Sequence, residues 1–424
     1  MDQASPGISG RSVPGPDLTS LYGRHGYPPT PGGRDLRFDF LRGFAMLSVV
    51  AAHLEMFSWF NFLFWERLGI ISAAELFVVA SGLVLGLVNR RVIDKAGLEE
   101  AAVRLLRRSF VLWRALVVTV ALIVLIARLG LIDMTAVTTF TDRWAAQTYS
   151  LIPSADLPWR RQVALVLTMR ASPHQIQILS LYIILLALAP LLLWMLGRRL
   201  FGAYFALTWV LYFLGSLRTE GDTRLFGMQF EYAFPILYWQ VYFTHALAVG
   251  YFRAEIAGWL ADAARRRLVV GAAVVLALAF FLFAQTTANS TFPAWSRLNL
   301  ITPERFQGLY DVYFQKGRPG LPRLLNVAVF FMAFYALLTY FWQPIHKALG
   351  WLLIPLGEAS LYVFLMHLVF IVLIDQIPGY FDVIPDWHEV WPGRIWINTA
   401  LYLGTILGLW ALVRNKVLFE VVPR

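Results

Sequence analysis

Apolar residues run in long blocks along this chain, and polar residues gather between the blocks. A helix needs about 20 mostly apolar residues to cross a hydrocarbon core of about 30 Å. About ten stretches meet or approach that length. They are residues 38–58, 69–88, 109–130, 176–197, 201–217, 232–252, 268–285, 324–342, 354–376 and 395–413. The fifth and seventh are short. Backbone in lipid must satisfy its own hydrogen bonds, so these runs are read as helices. The pattern predicts an all-α, polytopic transmembrane helix bundle. Residues 1–33 break it. SPGISGRSVPGP and YPPTPGG are rich in Gly and Pro and contain no apolar h-region, so a disordered tail without a cleavable signal is expected there. The division is therefore a tail over 1–33 and a transmembrane domain over 34–424. No internal repeat of the transporter kind is visible.

Charge gives the bundle an orientation. With the N-terminus in the cytoplasm, the inner connections hold Arg90, Arg91, Lys95, Arg104, Arg107 and Arg108, then Arg198 and Arg199. Arg265, Arg266, Arg267 and Lys347 follow, and the tail adds Arg414, Lys416 and Arg424. The short outer connections after spans one and nine hold only Arg67 and Arg394. This satisfies the positive-inside rule, with both termini cytoplasmic. The loops 131–175 and 286–323 are long and follow that rule weakly. Among 424 residues, 58% are apolar and only 15% charged. A soluble domain carries about 25% charged residues. The net charge of +10 sits at the ends of apolar runs, which argues for topology and against nucleic acid. There are no cysteines, hence no disulfide and no thiolate nucleophile. The lipid bilayer is the first partner, and a homo-oligomer stays open.

Polar residues inside spans are rare and usually functional. Arg42 and His53 lie eleven steps apart in RDLRFDFLRGFAMLSVVAAH, about three turns, so they share a face. His53 then lies about 16 Å deeper than Arg42. The plainer alternatives are a snorkelling arginine and a packing histidine. Glu55 points about 200° away from His53 and is not its partner on this reading. Glu75 shares a face with Val78, Gly82 and Gly86. The Gly82–Gly86 pair permits close helix approach. Glu75 is expected to meet the first helix near His53 and orient the imidazole. Its alternative is a carboxylate paired elsewhere.

Arg104, Arg107, Arg108 and Arg114 in RLLRRSFVLWR would suit the polyphosphate of a nucleotide, or would be an ordinary basic flank. His174, Gln177 and Ser180 form a polar stripe at the outer mouth of span four. Glu231, Pro235, Tyr238, Tyr242 and His245 share one face of span six, and Gln240 faces away. Aromatic bodies with polar tips suit a sugar, or an interfacial belt. His367, two turns from Ser360 in GEASLYVFLMHLVF, is a second mid-span histidine. The seven histidines show no His-x3-His or HExxH spacing, so no metal site is expected. No GxSxG elbow or P-loop occurs.

RDLRFDFLRG followed by His53, then AAELFVVASGL, ILSLYIILLALAPLLL, FPILYWQ and GEASLYVFLMH occur in that order. Together they resemble the OpgC family, within the acyltransferase type-three superfamily, over roughly residues 34–376. The resemblance implies succinylation of osmoregulated periplasmic glucans, with acyl-CoA (succinyl-CoA or acetyl-CoA) as cytoplasmic co-substrate and an extracytoplasmic glycan as acceptor. It implies an inner-membrane location and a catalytic His53 in an arginine-x10-histidine element that begins at Arg42. Arg107, Arg108 and Arg114 match the basic stretch that meets acyl-CoA. Pro235, Trp239 and Gln240 match an Asn-Pro-x-x-Trp-Gln-like element, but Phe234 stands where asparagine is expected. Gln177 stands in place of an aspartate, and Ser180 in place of a proline. These departures touch the outer mouth and the acceptor. The expected mechanism docks the nucleotide at the inner arginines and the thioester near His53. His53 is the base, Glu75 orients it, and His367 or a backbone N–H stabilises the oxyanion. A sugar or lipid transporter or flippase would also need buried His, Glu and Arg. A structural or signalling membrane protein would tolerate loss of His53 with no biochemical effect.

The cysteine-free chain permits a direct test of orientation. In spheroplasts, an impermeant maleimide should label S154C on the 131–175 loop, and K95C only after permeabilisation. The reverse pattern inverts the topology.

Overall fold

The computed structural model describes residues 25–28, 34–142, 147–217, 225–378 and 387–423. Helices dominate them. The helices used below are α1 (Leu36–His53), α2 (Ala73–Leu129), α3 (Trp159–Leu167), α4 (Gln177–Gly197), α5 (Phe201–Ser216) and α6 (Ile236–Tyr251). They continue with α7 (Ala263–Gln285), α8 (Pro303–Tyr313), α9 (Leu321–Tyr340), α10 (Trp351–Glu358), α11 (Ser360–Asp375) and α12 (Arg394–Arg414). The strands are β1 (Thr139–Asp142) and β2 (Gln147–Ser150), an antiparallel pair in the 131–175 loop with Phe140 opposite Tyr149.

Among the described residues, five helices are long and apolar enough to cross a bilayer. They are α2, the segment His174–Gly197, α7, α9 and α12. The pair Trp342–Glu358 and Ser360–Asp375 makes a sixth if it counts as one span. This is fewer than the ten stretches read from hydropathy, for physical reasons. Three charges, Arg37, Asp39 and Arg42, sit within α1. The helices α5 and α6 have 16 residues each. Two predicted spans belong to the single 57-residue helix α2. It breaks only at Gly97, where φ is 84° and ψ 170°, a backbone open to glycine and strained for other residues. The predicted span 354–376 is bent by 92° at Ala359, between α10 and α11.

One end of the bundle is anchored by charge. Asp35 caps α1 by accepting from the Arg37 N–H at 3.1 Å, and it also takes Arg37 Nη2 at 2.8 Å. Arg253 and Tyr335 bond the same carboxylate. Tyr27 lies against Trp342 with ring centroids 4.8 Å apart, and its hydroxyl accepts from the Leu36 N–H. Residues 25–28, which composition assigned to a disordered tail, are therefore docked at this end. The rest of 1–33 lies outside the described residues.

Glycines set the tightest helix contacts. A Cβ on Gly357 would lie 1.7 Å from the Asp39 carbonyl oxygen, and one on Gly43 would lie 2.0 Å from that of Leu353. So α1 and α10 touch backbone to backbone. Gly82 and Gly86 do mediate close packing, but against α6, where their Cβ atoms would meet Phe243 O and Leu247 O. The expected approach of this face to α1 is replaced by a crossing of α2 with α6. Overpacking costs about 1–3 kcal/mol where side chains can yield, and backbone yields less. G86V should therefore lower the unfolding temperature in detergent by several degrees or prevent folding. G202V, at an open position, should leave it within about one degree.

Candidate active site

The helix α1 ends at His53, and α11 brings His367 to it. His53 Nδ1 and His367 Nε2 are 3.0 Å apart, with ring centroids 5.1 Å apart and nearly parallel planes. The hydrogen-bond partners decide the tautomers. His367 Nδ1 lies 2.6 Å from the Phe364 carbonyl oxygen. A carbonyl only accepts, so Nδ1 carries the proton. In neutral His367, Nε2 is then an acceptor, and His53 Nδ1–H donates to it. The His53 proton is thereby held on Nδ1, and Nε2 is left with its lone pair. His367 is almost wholly buried, whereas His53 keeps partial exposure.

A third histidine borders the pair. The His174 ring stands edge-on to His53 with centroids 6.2 Å apart. Its Nε2 lies 3.1 Å from Glu55 Oε1, and its Nδ1 is buried without a hydrogen-bond partner. Phe140 of β1 packs on the same ring at 5.3 Å. Glu55 has a positive φ of 49°, which turns the chain after α1 and helps carry its carboxylate to His174. The loop 131–175 thus borders the histidine pair through Phe140 and His174.

Glu75 is not the group that orients His53. It is fully buried and accepts from Arg323 Nε at 2.6 Å and from the Ser72 N–H at 2.7 Å. Arg323, also fully buried, donates Nη2 to Glu66 Oε1 at 2.6 Å and Nη1 to the Phe314 carbonyl. Ser72-x-x-Glu75 spells a capping box, a signal in the sequence that explains the carboxylate without catalysis.

Below the histidines, Arg42 is placed among Tyr182, Asp39, Arg34 and Arg108. Its Nε is buried without a partner. Tyr182 in turn neighbours Arg42, Arg108 and Ser81. Of the four arginines of the basic stretch, only Arg108 is part-buried on this inward side. Arg104, Arg107 and Arg114 are exposed, and Arg104 pairs with Glu100 at 2.6 Å. They do not converge as expected.

The sugar-binding residues expected on span six are mostly occupied. Glu231 is buried and accepts from the N–H groups of Leu225, Phe226 and Met228, a loop brace. Gln240 Nε2 donates to Thr208 O at 2.8 Å, joining α6 to α5. Trp239 is buried, and its Nε1 donates to the Lys316 carbonyl at 3.1 Å. Tyr238 is buried against Tyr212 and its hydroxyl has no hydrogen-bond partner. Gln177 is buried at the start of α4. Ser180 Oγ, Ser81 Oγ and Tyr242 OH are buried without hydrogen-bond partners. Among the described residues, no group of three His, Asp or Glu could hold a metal ion.

A family model described as the OpgC protein matches residues 34–419, nearly the whole chain. The chain belongs to the OpgC family. Membership, with its long apolar helices, makes it a membrane acyltransferase of the kind that acts on glucans. No curated relative and no solved structure gives a significant match.

Removing one partner of a buried ion pair leaves a charge uncompensated, at a cost of about 3–5 kcal/mol. E75Q and R323M should each destabilise the detergent-solubilised protein by about that amount. The double variant should recover part of the loss, as seen by thermal denaturation.

Proposed function

We propose that this OpgC-family chain moves a short acyl group, succinyl or acetyl, from cytoplasmic acyl-CoA to a hydroxyl of an extracytoplasmic glycan, across a ten-span inner-membrane bundle with both termini inside. The observation that carries this reading is the His53–His367 hydrogen bond, with His367 tied in turn to the Phe364 carbonyl. It presents an imidazole lone pair at His53 Nε2, at the end of α1.

The residues support a direct transfer. A glycan hydroxyl enters from the side of His174 and Glu55. Its oxygen attacks the thioester carbonyl carbon, and His53 Nε2 takes the hydroxyl proton. The His53 imidazolium keeps its Nδ1–H on His367, which fixes the ring through the step as the third member of a catalytic triad does, here without a carboxylate. When the C–S bond breaks, the proton passes from Nε2 to the departing sulfur. An ester and free CoA result, and His53 is restored.

Arg42 and Arg108 fit the donor side. Two guanidiniums in one neighbourhood suit phosphate or carbonyl oxygens, and Arg42 Nε has no protein partner there. Tyr182 and Ser81 neighbour one another on the same side as Arg42 and Arg108. His174 Nδ1 is a free acceptor for a sugar hydroxyl.

A general base contributes about 10²–10⁴ in rate. H53A should lower acyl transfer by at least that range. H367F, which keeps volume but removes the acceptor for Nδ1–H, should lower kcat by about 10²-fold or more with KM for the donor little changed. Mass spectrometry of envelope glycans from cells expressing each variant at wild-type level provides the readout. Unchanged acylation in H53A would remove the base assignment.

A further inference from the structure

Lys316 is an electrostatic neighbour of His53 that forms no ion pair among the described residues. It sits in the 314–320 turn between α8 and α9, and that turn is fastened along its length. Arg323 Nη1 donates to the Phe314 carbonyl, and Trp239 Nε1 to the carbonyl of Lys316 itself at 3.1 Å. Tyr212 donates its hydroxyl to Pro319 O at 2.8 Å. The Gly320 N–H closes back on Tyr313 O at 3.1 Å. The backbone of Lys316 is thus held in place, and its ammonium lies over the Phe234 ring at 4.7 Å.

The acids near Lys316 are Glu75 and Glu66, and both are bonded to Arg323 at 2.6 Å. Among the described residues, no carboxylate forms an ion pair with Lys316. Burial lowers its pKa below the ordinary lysine range, with Glu75 pulling the other way. Lys316 is also an electrostatic neighbour of His53, without a hydrogen bond to it. A cation so placed can meet an anion that arrives with the substrate.

The surrounding charge selects which anion. With the reacting carbonyl at His53, Lys316 is left for a second, anionic group on the same acyl chain. The acceptor side of His53 carries Glu55, whose charge repels an anionic acceptor. Phe234 beneath the ammonium supplies an apolar wall for the methylenes between the two carbonyls. We propose that Lys316 is the specificity-determining residue for the acyl group, receiving the free carboxylate of a dicarboxylic acyl chain while the thioester carbonyl lies at His53. The assignment rests on the acyltransferase reading above.

The test uses the full-length protein in nanodiscs with two donors of similar length, succinyl-CoA and butyryl-CoA, which differ in the terminal carboxylate. The ratio of their kcat/KM values should fall at least about tenfold in K316M and be largely kept in K316R. K316Q provides the same comparison if K316M does not fold. A ratio within twofold of wild type in the neutral variants overturns the assignment. So does an effect that follows the charge of the acceptor, compared between a neutral glucan and one bearing anionic substituents. Wild-type protein that transfers neither acyl group defeats the acyltransferase reading itself. Wild-type protein that transfers both, with a ratio insensitive to residue 316, defeats only this one.

Discussion

The buried guanidinium of Arg323 organises the half of this molecule that holds the start of α2 and of α9. Burying a charge is costly unless it is paired and hydrogen-bonded. Arg323 meets that condition with Glu75 from the start of α2, Glu66 from the preceding loop and the Phe314 carbonyl. Tyr310 adds a hydroxyl donor to Glu66 at 2.9 Å. One side chain therefore fixes the start of α2 relative to α9 and the turn that carries Lys316. The plan of the site follows from this constraint: Glu75 and Glu66 are engaged by Arg323, Glu55 bonds His174, and among the described residues neither His53 nor His367 hydrogen-bonds a carboxylate.

The central pair of the candidate site is consequently built from two imidazoles. A histidine backed by a carboxylate gains basicity from a fixed negative charge. Here the backing group is itself a neutral ring, held in one tautomer by a helix carbonyl. Its contribution to His53 is orientation more than charge.

Much of this arrangement was legible in the sequence. Hydropathy marked the helical character of the chain but not where helices merge or bend, and the arginine-x10-histidine spacing singled out Arg42 and His53. His367 stood out because an ionisable group in the middle of an apolar run demands an explanation. Other features were hidden for identifiable reasons. The partner of Glu75 lies 248 residues away on α9, and such pairing depends on tertiary packing alone. The 92° bend at Ala359 has no signal beyond Pro355 and Gly357, which a straight span can also contain. Gly82 and Gly86 announced a close contact, but periodicity does not name the opposing helix. The basic stretch after Gly97 looked uniform in sequence, yet helical geometry turns Arg108 inward and leaves its neighbours exposed.

The backbone contact between α1 and α10 has a consequence for motion. With Gly357 pressed on Asp39 and Gly43 on Leu353, neither helix can slide or roll without a steric collision. Well-packed elements of this kind are bistable at most, and do not deform continuously. The rod that carries His53 is therefore held in place by its neighbour, whereas the strands β1 and β2 that border His174 are largely solvated and carry no such restraint.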